Sequence, residues 1–465
     1  MRKQFKIILF LFYVFISQAY GQELNKEELS YSEFLGYVKK YHPLVKQAGL
    51  EISNAQAALM AARGGFDPKI EVDYNKKEFK GTEYYSLLNS SFKIPTWYGI
   101  EVKAGFDDTS GEYYNPQNRT PEAGLTSLGI SVPLGQGLFI NQRMADVREG
   151  KLQVQLSDAE RKLRAIEVLY KASEAYFDWK RSYAEAELYK NYMGFAQTRF
   201  NGVKQLIELG DSPAIDSVEA GITVRSRQLN LENANLKLAK AKLKLSNFLW
   251  IEDVPVELEE NIVPEQDLIN TLEETLRTDA MISATDSLDF HPKIQAMETK
   301  LSILEVNRKL KANKLLPKLN IGYNYISEPD YFSSFNADDY KFNFNFSIPV
   351  FLRKERGDLK IAKLKIADME FELGQQRLEL QNKIESQKLE IESLKRQKKV
   401  IDTLVEDYTT MLNSEEKLFS YGESSMFLIN SRENNLVNAK LSQISLENQY
   451  FMSNAELFRT MANPD

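Results

Sequence analysis

This chain contains no cysteine, so it has no disulfide bond, no thiolate metal ligand and no cysteine nucleophile. Its only histidines are His42 and His291, which leaves little for metal binding or general-base catalysis. The net charge of −7 is spread along the chain, without the basic stripe that nucleic-acid binding requires. The sequence therefore predicts no catalytic residue, no cofactor, no metal site and no nucleic-acid partner.

The N-terminus has the composition of a secretion signal. Arg2, Lys3 and Lys6 precede an apolar run at 7–16, and small residues follow before Gln22. This pattern predicts a signal peptide over residues 1–21. Its apolar run is too short to span a bilayer, and no later segment reaches 18 consecutive apolar residues. If the mature chain enters a membrane, it does so as β-strands.

Two parts of the chain resemble each other at a constant spacing. His42-Pro43 recurs 249 residues later as His291-Pro292, and further along Gly210 recurs 212 residues later as Gly422. A spacing that persists over a long segment indicates one supersecondary unit used twice. The change of spacing indicates about 37 extra residues between the strands of the first copy.

The repeat predicts how the mature chain is organised. Each copy contains an opening helix, strands, a long helix and a return helix. Repeat one covers 22–250, with strands within 69–133, a long helix over 144–209 and a return helix over 213–250. Residues 251–290 form a linker or equatorial belt. Repeat two covers 291–465, with strands within 318–348, a long helix over 357–420 and a return helix over 424–461.

The strands alternate apolar and polar residues with a period of two, which is typical of a transmembrane barrel wall. A soluble sandwich with one buried face is the alternative interpretation. The alternation predicts a lipid-facing set: Ile70, Val72, Tyr74, Ile321, Tyr323, Phe342, Phe344 and Phe346. Residues 100–106 also alternate and suggest an additional hairpin, whose place in a barrel the sequence leaves open.

Counting two strands in each copy gives four strands per chain. Four strands cannot close a barrel, because the smallest outer-membrane barrels have about eight. An open sheet edge is not tolerated in lipid, so the sequence predicts an oligomer.

The long helices carry a coiled-coil seam. In the second copy, twelve positions from Leu380 to Phe419 step alternately by four and three residues, and nine of them are apolar or aromatic. Gln387, Lys398 and Glu415 interrupt this seam. A seam of about five heptads predicts a coiled coil.

Together these features resemble the TolC-like outer-membrane efflux protein family. The shared features are the duplicated unit, the glycine turns, and prolines at the helix starts and the strand ends: Pro43, Pro68, Pro133, Pro292, Pro317 and Pro349. The resemblance implies an α+β membrane protein in the outer membrane of a Gram-negative bacterium. It also implies a homotrimer, in which a twelve-stranded β-barrel continues into a long periplasmic α-helical coiled-coil barrel.

The resemblance further implies a passive exit duct of a tripartite efflux or secretion system. Its partners would be a periplasmic adaptor (membrane fusion) protein and an inner-membrane pump. In the family the adaptor contacts a glycine turn at the helical tip. Here the matching residues are Leu209, Gly210, Asp211, Tyr421, Gly422 and Glu423. The glycines match the family, whereas their neighbours differ from its Val-Gly-Leu-like pattern.

Asp216 and Glu219 are candidates for a periplasmic gate. They are three residues apart and so share one helix face just after the first turn. In a trimer they would bring six carboxylates to the narrow end, where acidic rings favour cations. A solvated outer face is an equally good interpretation, because the matching residues of repeat two are Leu428 and Ser431.

Two other classes of function remain open at this stage. A periplasmic or surface coiled-coil scaffold without a pore would explain the helices but gives the alternating strands no purpose. A secreted enzyme has no support in the residue inventory.

Overall fold

The computed structural model describes residues 28–259, 261–277 and 288–462, so the predicted signal peptide at 1–21 lies outside the described residues. The chain divides into two compact units. The helical unit comprises Met1–Val45, Ile166–Ala284 and Ile384–Met461, within the described residues. The sheet unit comprises Lys46–Ala165 and Thr285–Lys383, again within the described residues.

The sheet unit is built on one antiparallel sheet. Its first four strands form a meander of β2 (Lys69–Phe79), β3 (Thr82–Pro95), β4 (Glu101–Ser110) and β5 (Leu125–Pro133), which follow the two-residue strand β1 (Glu28–Leu29) of the helical unit. The second copy adds the hairpin of β9 (Lys318–Ser327) and β10 (Tyr340–Ser347). The strand order is β10-β9-β5-β4-β3-β2, so β10 and β2 form the two edges.

The count of four strands per chain is wrong, because this sheet has six. The additional hairpin consists of β3 and β4, which lie in the middle of the sheet between β2 and β5. Strand β3 was not predicted from the sequence because apolar and polar residues do not alternate strictly along it. Ser86 and Ser90 occupy positions on the apolar face, and Leu87 lies on the polar one.

The strand register aligns all six strands into one apolar and one polar face. Phe342 pairs with Tyr323, Tyr323 with Ile130, and Ile130 with Val102. The next row of paired residues, farther from the helices, lies on the same face. In it Leu128 is opposite Ala104, and Phe92 is opposite Ile70. The two-residue period of a strand places the intervening polar residues on the other face.

Helices close one end of the sheet unit. The opening helices are α2 (Pro43–Arg63), which follows the short α1 (Tyr31–Tyr41), and α6 (Pro292–Asn313). Trp97, in the turn between β3 and β4, stacks on Phe66 at 5.3 Å between ring centroids. Both rings pack against a buried cluster that includes Met144 and Leu310. The strands are therefore anchored to the helices at this turn.

Four helices dominate the helical unit. The two long helices, α3 (Gln142–Leu209) and α7 (Arg353–Ser420), each contain 68 residues, of which this unit holds the second part. The return helices are α4 (Ile215–Ser246) and α8 (Met426–Met461). Both copies thus have the order of opening helix, strands, long helix and return helix.

The predicted seam of α7 is confirmed. Every one of its twelve positions is buried or half-buried, whereas most other residues of the helix are exposed. The polar positions belong to the seam as well. The Gln387 amide donates to Thr460 Oγ1 at 2.9 Å, and Glu415 lies within 3.5 Å of Arg432.

The segment predicted as a linker packs against an aromatic core, which was not predicted from the sequence. Its strand β8 (Val263–Pro264), which follows the small hairpin of β6 (Trp250–Ile251) and β7 (Val254–Pro255), pairs in parallel with β1. Helix α5 (Leu268–Leu276) buries Leu268, Leu272 and Leu276. Tyr31, Phe34, Tyr176, Phe177 and Trp179 are completely buried.

The two histidines help to begin the opening helices. His42 Nδ1 accepts a hydrogen bond from the Leu44 amide at 3.2 Å, and His291 Nδ1 accepts one from the Lys293 amide at 3.1 Å. These bonds satisfy N–H groups that a helix start leaves unpaired. Burial lowers the pKa of His42, which favours the neutral ring that can accept this bond. Both histidines therefore have a structural role at the helix starts.

Candidate functional site

The two helix turns at the glycines have the same geometry. Gly210 and Gly422 have φ angles of +83° and +78°. The Gly210 and Asp211 amides donate to the carbonyls of Ile207 and Leu206, and Gly422 and Glu423 repeat this arrangement with Phe419 and Leu418. This is the Schellman motif, in which a glycine takes the left-handed conformation after a helix. Other residues pay roughly 1–2 kcal/mol in that conformation.

The side chains beside these glycines are open to solvent. Leu209 is 73% exposed and Tyr421 is 77% exposed, and no described residue other than the chain neighbours of each glycine places a heavy atom within 4 Å of a Cβ built at Gly210 or Gly422. A core cluster near both turns contains Val203, Ala220 and Met426. Because this cluster joins α3, α4 and α8, the two turns lie at the same end of the helical unit.

The two gate candidates lie in the first two turns of α4. Asp216 and Glu219 are both half-buried. Glu219 Oε1 accepts a hydrogen bond from the side-chain amide of Asn430 on α8 at 3.4 Å. This carboxylate therefore faces the return helix of the other repeat, a contact that the spacing in sequence did not indicate.

A buried charge network lies about three helical turns from the glycine turns, and sequence reasoning missed it. The Glu433 side chain is 1% exposed; it contacts Arg199 at 2.7 Å and Arg227 at 3.3 Å. Arg227 also donates to Asn434 Oδ1 at 2.6 Å, while its buried Nε atom has no hydrogen-bond partner among the described residues. The network links α3, α4 and α8. Burial also raises the pKa of the neighbouring Tyr192 hydroxyl.

A sequence signal for this network did exist. In α4 the buried residues Ala220, Arg227, Ala234 and Ala241 recur every seven residues, so Arg227 occupies a seam position. In α8, Glu433 lies four residues after Ile429, within the buried stripe of that helix. A charged residue at a seam position is a signal of a buried pair, because an unpaired charge there is costly.

The predicted lipid-facing residues share one face of the sheet. Phe344 pairs with Ile321 and Phe346 with Leu319, while Ile70 pairs with Phe92 of the missed strand β3. In the single chain, Ile70 is 77% exposed and Phe344 is 59% exposed. The sheet thus presents a wide apolar surface that no part of the described chain covers.

Comparison with known proteins identifies the family. A family model described as outer membrane efflux protein matches residues 38–249 and 284–463. The chain belongs to the outer membrane efflux protein family. It is therefore a transport protein of the outer membrane that extends into the periplasm, an exit duct of the kind that the sequence predicted. The comparison with curated protein sequences gave no match.

Solved structures agree with the fold of an outer membrane efflux protein. The Campylobacter jejuni CmeC outer membrane channel is 14% identical, with a TM-score of 0.63 over 92% of this chain and 85% of CmeC. The open state of the Neisseria gonorrhoeae MtrE outer membrane channel is 13% identical, with a TM-score of 0.64 over 93% and 88%. VceC from Vibrio cholerae is 12% identical, with a TM-score of 0.64 over 92% and 95%.

The helices of this outer membrane efflux protein do not cross the membrane as far as the structure describes them. Over residues 28–259, 261–277 and 288–462, no helix combines the length and the apolar character that a bilayer span needs.

Proposed function

We propose that three copies of this chain form an outer-membrane duct whose wall is the six-stranded sheet repeated three times. The observation that carries this proposal is the sheet itself: one face is mainly apolar, and within the described residues the edge strands β2 and β10 have no partner on their outer sides. An open edge in lipid leaves backbone groups unsatisfied, so the sheet needs other copies to close.

The topology suits closure by identical copies. All neighbouring strands in the sheet are antiparallel, and their number is even, so β2 of one copy runs antiparallel to β10 of the next. Three copies give eighteen strands instead of the twelve that the family resemblance implied. Since barrel diameter grows roughly linearly with strand number, this barrel is about 1.5 times as wide as a twelve-stranded one.

The helical unit supports association as well. On α4, Ile215, Ile222, Leu229, Leu236 and Leu243 recur every seven residues, and each is more than half exposed. An exposed apolar stripe with a heptad period is typical of a helix that packs against another helix. In the proposed trimer, this stripe contacts a neighbouring copy.

Disulfide cross-linking tests how the copies meet. The chain has no native cysteine, so any disulfide bond has to form between the two introduced cysteines. Asp73→Cys on β2 is combined in turn with Lys341→Cys, Asn343→Cys or Asn345→Cys on β10. Within one chain these strands are about 24 Å apart, too far for a disulfide, so any bond joins two copies. A covalent trimer in one combination supports the closed barrel, whereas monomers in all of them contradict it.

The partners of the proposed duct are a periplasmic adaptor and an inner-membrane pump, as the family resemblance implies. The glycine turns are the proposed contact for the adaptor, because both lie at one end of the helical unit with exposed flanking side chains. Substituting the flanking residues tests docking without straining the glycines.

Leu209→Lys combined with Tyr421→Lys is expected to abolish export while leaving trimers in the outer membrane. Burying an ammonium group in a protein contact without a partner is costly, whereas a lysine in solvent is not. Export is measured in cells as resistance to a pumped compound, and trimers are measured by their mobility on unheated gels. Thr198→Lys, about three turns away on α3, is the matched control and should export normally. Normal export by the double variant would place docking elsewhere.

Asp216→Asn combined with Glu219→Gln is expected to weaken cation preference and block by multivalent cations, if these residues form a gate. An acidic ring attracts cations, and the amides remove its charge but keep its shape. The measurement is the current–voltage curve of the purified protein in planar bilayers. Because Glu219 contacts Asn430, the single variant Asp216→Asn separates gating from the loss of that contact. An unchanged curve would assign both carboxylates to the outer surface.

The alternative interpretation of the sequence, a scaffold without a pore, disagrees with the family to which the chain belongs. The continuous apolar face of the sheet argues against it, because a water-soluble scaffold would have to cover that face. Ion channels in planar bilayers together with a heat-labile oligomer in the outer-membrane fraction would exclude it.

A further inference from the structure

Four lysines lie in one row across the polar face of the sheet. Lys69 on β2 pairs with Lys93 on β3, and Lys93 pairs with Lys103 on β4. The row continues through Gly129 and Asn324 to Lys341 on β10. The lysines come from four different strands and far-apart parts of the chain, so only the strand register brings them together.

Such a row is unfavourable for the sheet alone. Residues directly opposite on neighbouring strands have Cβ atoms about 4.5–5.5 Å apart, and like charges in these positions repel. Lysines on edge strands can serve to prevent wrong pairing, which would account for Lys69 and Lys341. Lys93 and Lys103 lie on the interior strands β3 and β4, so edge protection does not account for them.

Nearby carboxylates compensate only part of this charge. Glu71 forms an ion pair with Lys93, and Glu101 contacts Arg143 at 3.1 Å and Lys103 at 3.9 Å. Among the described residues, no carboxylate lies within 4 Å of Lys69 or Lys341. The four lysines and Arg143, set against Glu71 and Glu101, leave three unbalanced positive charges in each chain.

The next acidic residues on this face reach the row only at Lys341, which interacts with Asp107. Asp73 and Asp107 are each four residues along their strands from Lys69 and Lys103, which corresponds to about 13 Å. This exceeds the screening length of about 10 Å at 0.1 M salt. At Lys69, Lys93 and Lys103 the row therefore keeps a net positive charge at moderate ionic strength.

We propose that this lysine row lines the membrane part of the duct with positive charge and selects multivalent anions, such as solutes with several carboxylate or phosphate groups. The inference rests on the proposed barrel, which turns the polar face inward. Rings of charged side chains set ion selectivity in pores, and basic rings favour anions. Three copies bring twelve lysines to the lumen, in three rows that each run from the helix end of β2 to the loop end of β10.

The test compares two triple variants at the same positions. Lys69, Lys93 and Lys103 are replaced by glutamine in one variant and by arginine in the other, and the chloride-to-potassium permeability ratio is measured from reversal potentials in planar bilayers. At 0.1 M salt the glutamine variant should lose about threefold or more of this ratio, whereas the arginine variant keeps it. At 1 M salt the difference should shrink, because the screening length falls to about 3 Å.

Block of the current by inorganic pyrophosphate gives a second readout. It should weaken in the glutamine variant and persist in the arginine variant. Channels of normal conductance with the same permeability ratio and the same block in both variants would overturn the anion site but leave the duct intact. Absence of channels in the unmodified protein would instead overturn the proposed duct. The two failures are therefore distinguishable.

Discussion

Phe344→Arg is expected to abolish the assembled oligomer, whereas Asn343→Arg leaves it intact. Phe344 lies on the apolar face opposite Ile321, and Asn343 lies on the polar face opposite Gly322. An arginine on the lipid face near the bilayer centre costs about 2–4 kcal/mol. In a trimer each substitution occurs three times, so the effect on assembly is correspondingly larger. The readout is the fraction of heat-labile trimer in the outer-membrane fraction.

The two variants form a matched pair. They introduce the same residue at adjacent positions of the same edge strand. The two variants therefore differ only in the face of the sheet that receives the arginine. An arginine at Asn343 would face the proposed lumen, where water solvates it. Equal tolerance at both positions would mean that the apolar face does not contact lipid. Equal loss would mean that β10 tolerates no arginine on either face.

Glu433→Gln is expected to destabilise the end of the helical unit that carries the turns. Removing one partner of a buried ion pair costs about 3–5 kcal/mol, because the other charge stays buried without compensation. Here the Glu433 carboxylate forms ion pairs with both Arg199 and Arg227. Amide hydrogen exchange should speed up in the parts of α3, α4 and α8 around the network. It reports local opening, which a global unfolding curve would not resolve.

Glu416→Gln provides the control for this experiment. Glu416 contacts the same arginine, Arg199, at 3.6 Å, but its side chain is 48% exposed. Exposed pairs contribute about 0–1 kcal/mol, so exchange in this variant should remain near that of the original chain. If the two variants exchanged alike, the network would contribute nothing beyond a surface pair.

The sequence predicted the elements with a strong period and missed those without one. The seam from Leu380 to Phe419 was predictable because burial follows one face of a long helix. The strands β9 and β10 were predictable because aromatic and asparagine residues alternate strictly. Strand β3 was missed because serines replace apolar residues on its outer face, and hydrogen bonding to two neighbours holds it in place regardless.

The functional features followed the same rule. The glycine turns were predictable because a left-handed residue after a helix requires a specific residue type. The Glu433 network and the lysine row were not, because each joins residues from distant parts of the chain. Lys69 and Lys341 lie 272 positions apart in sequence and become members of one row only through the register of six strands.

The polar pairs along the α7 seam have a mechanical consequence. Gln387 with Thr460 and Glu415 with Arg432 connect residues whose numbers have the same sum, as an antiparallel helix pair with one fixed register requires. Sliding α7 along α8 by one heptad would separate both pairs and bury their polar atoms without partners. These two helices therefore move together as one rigid lever. A swing of this pair against α3 and α4 would also have to break the buried contacts of Glu433 with Arg199 and Arg227.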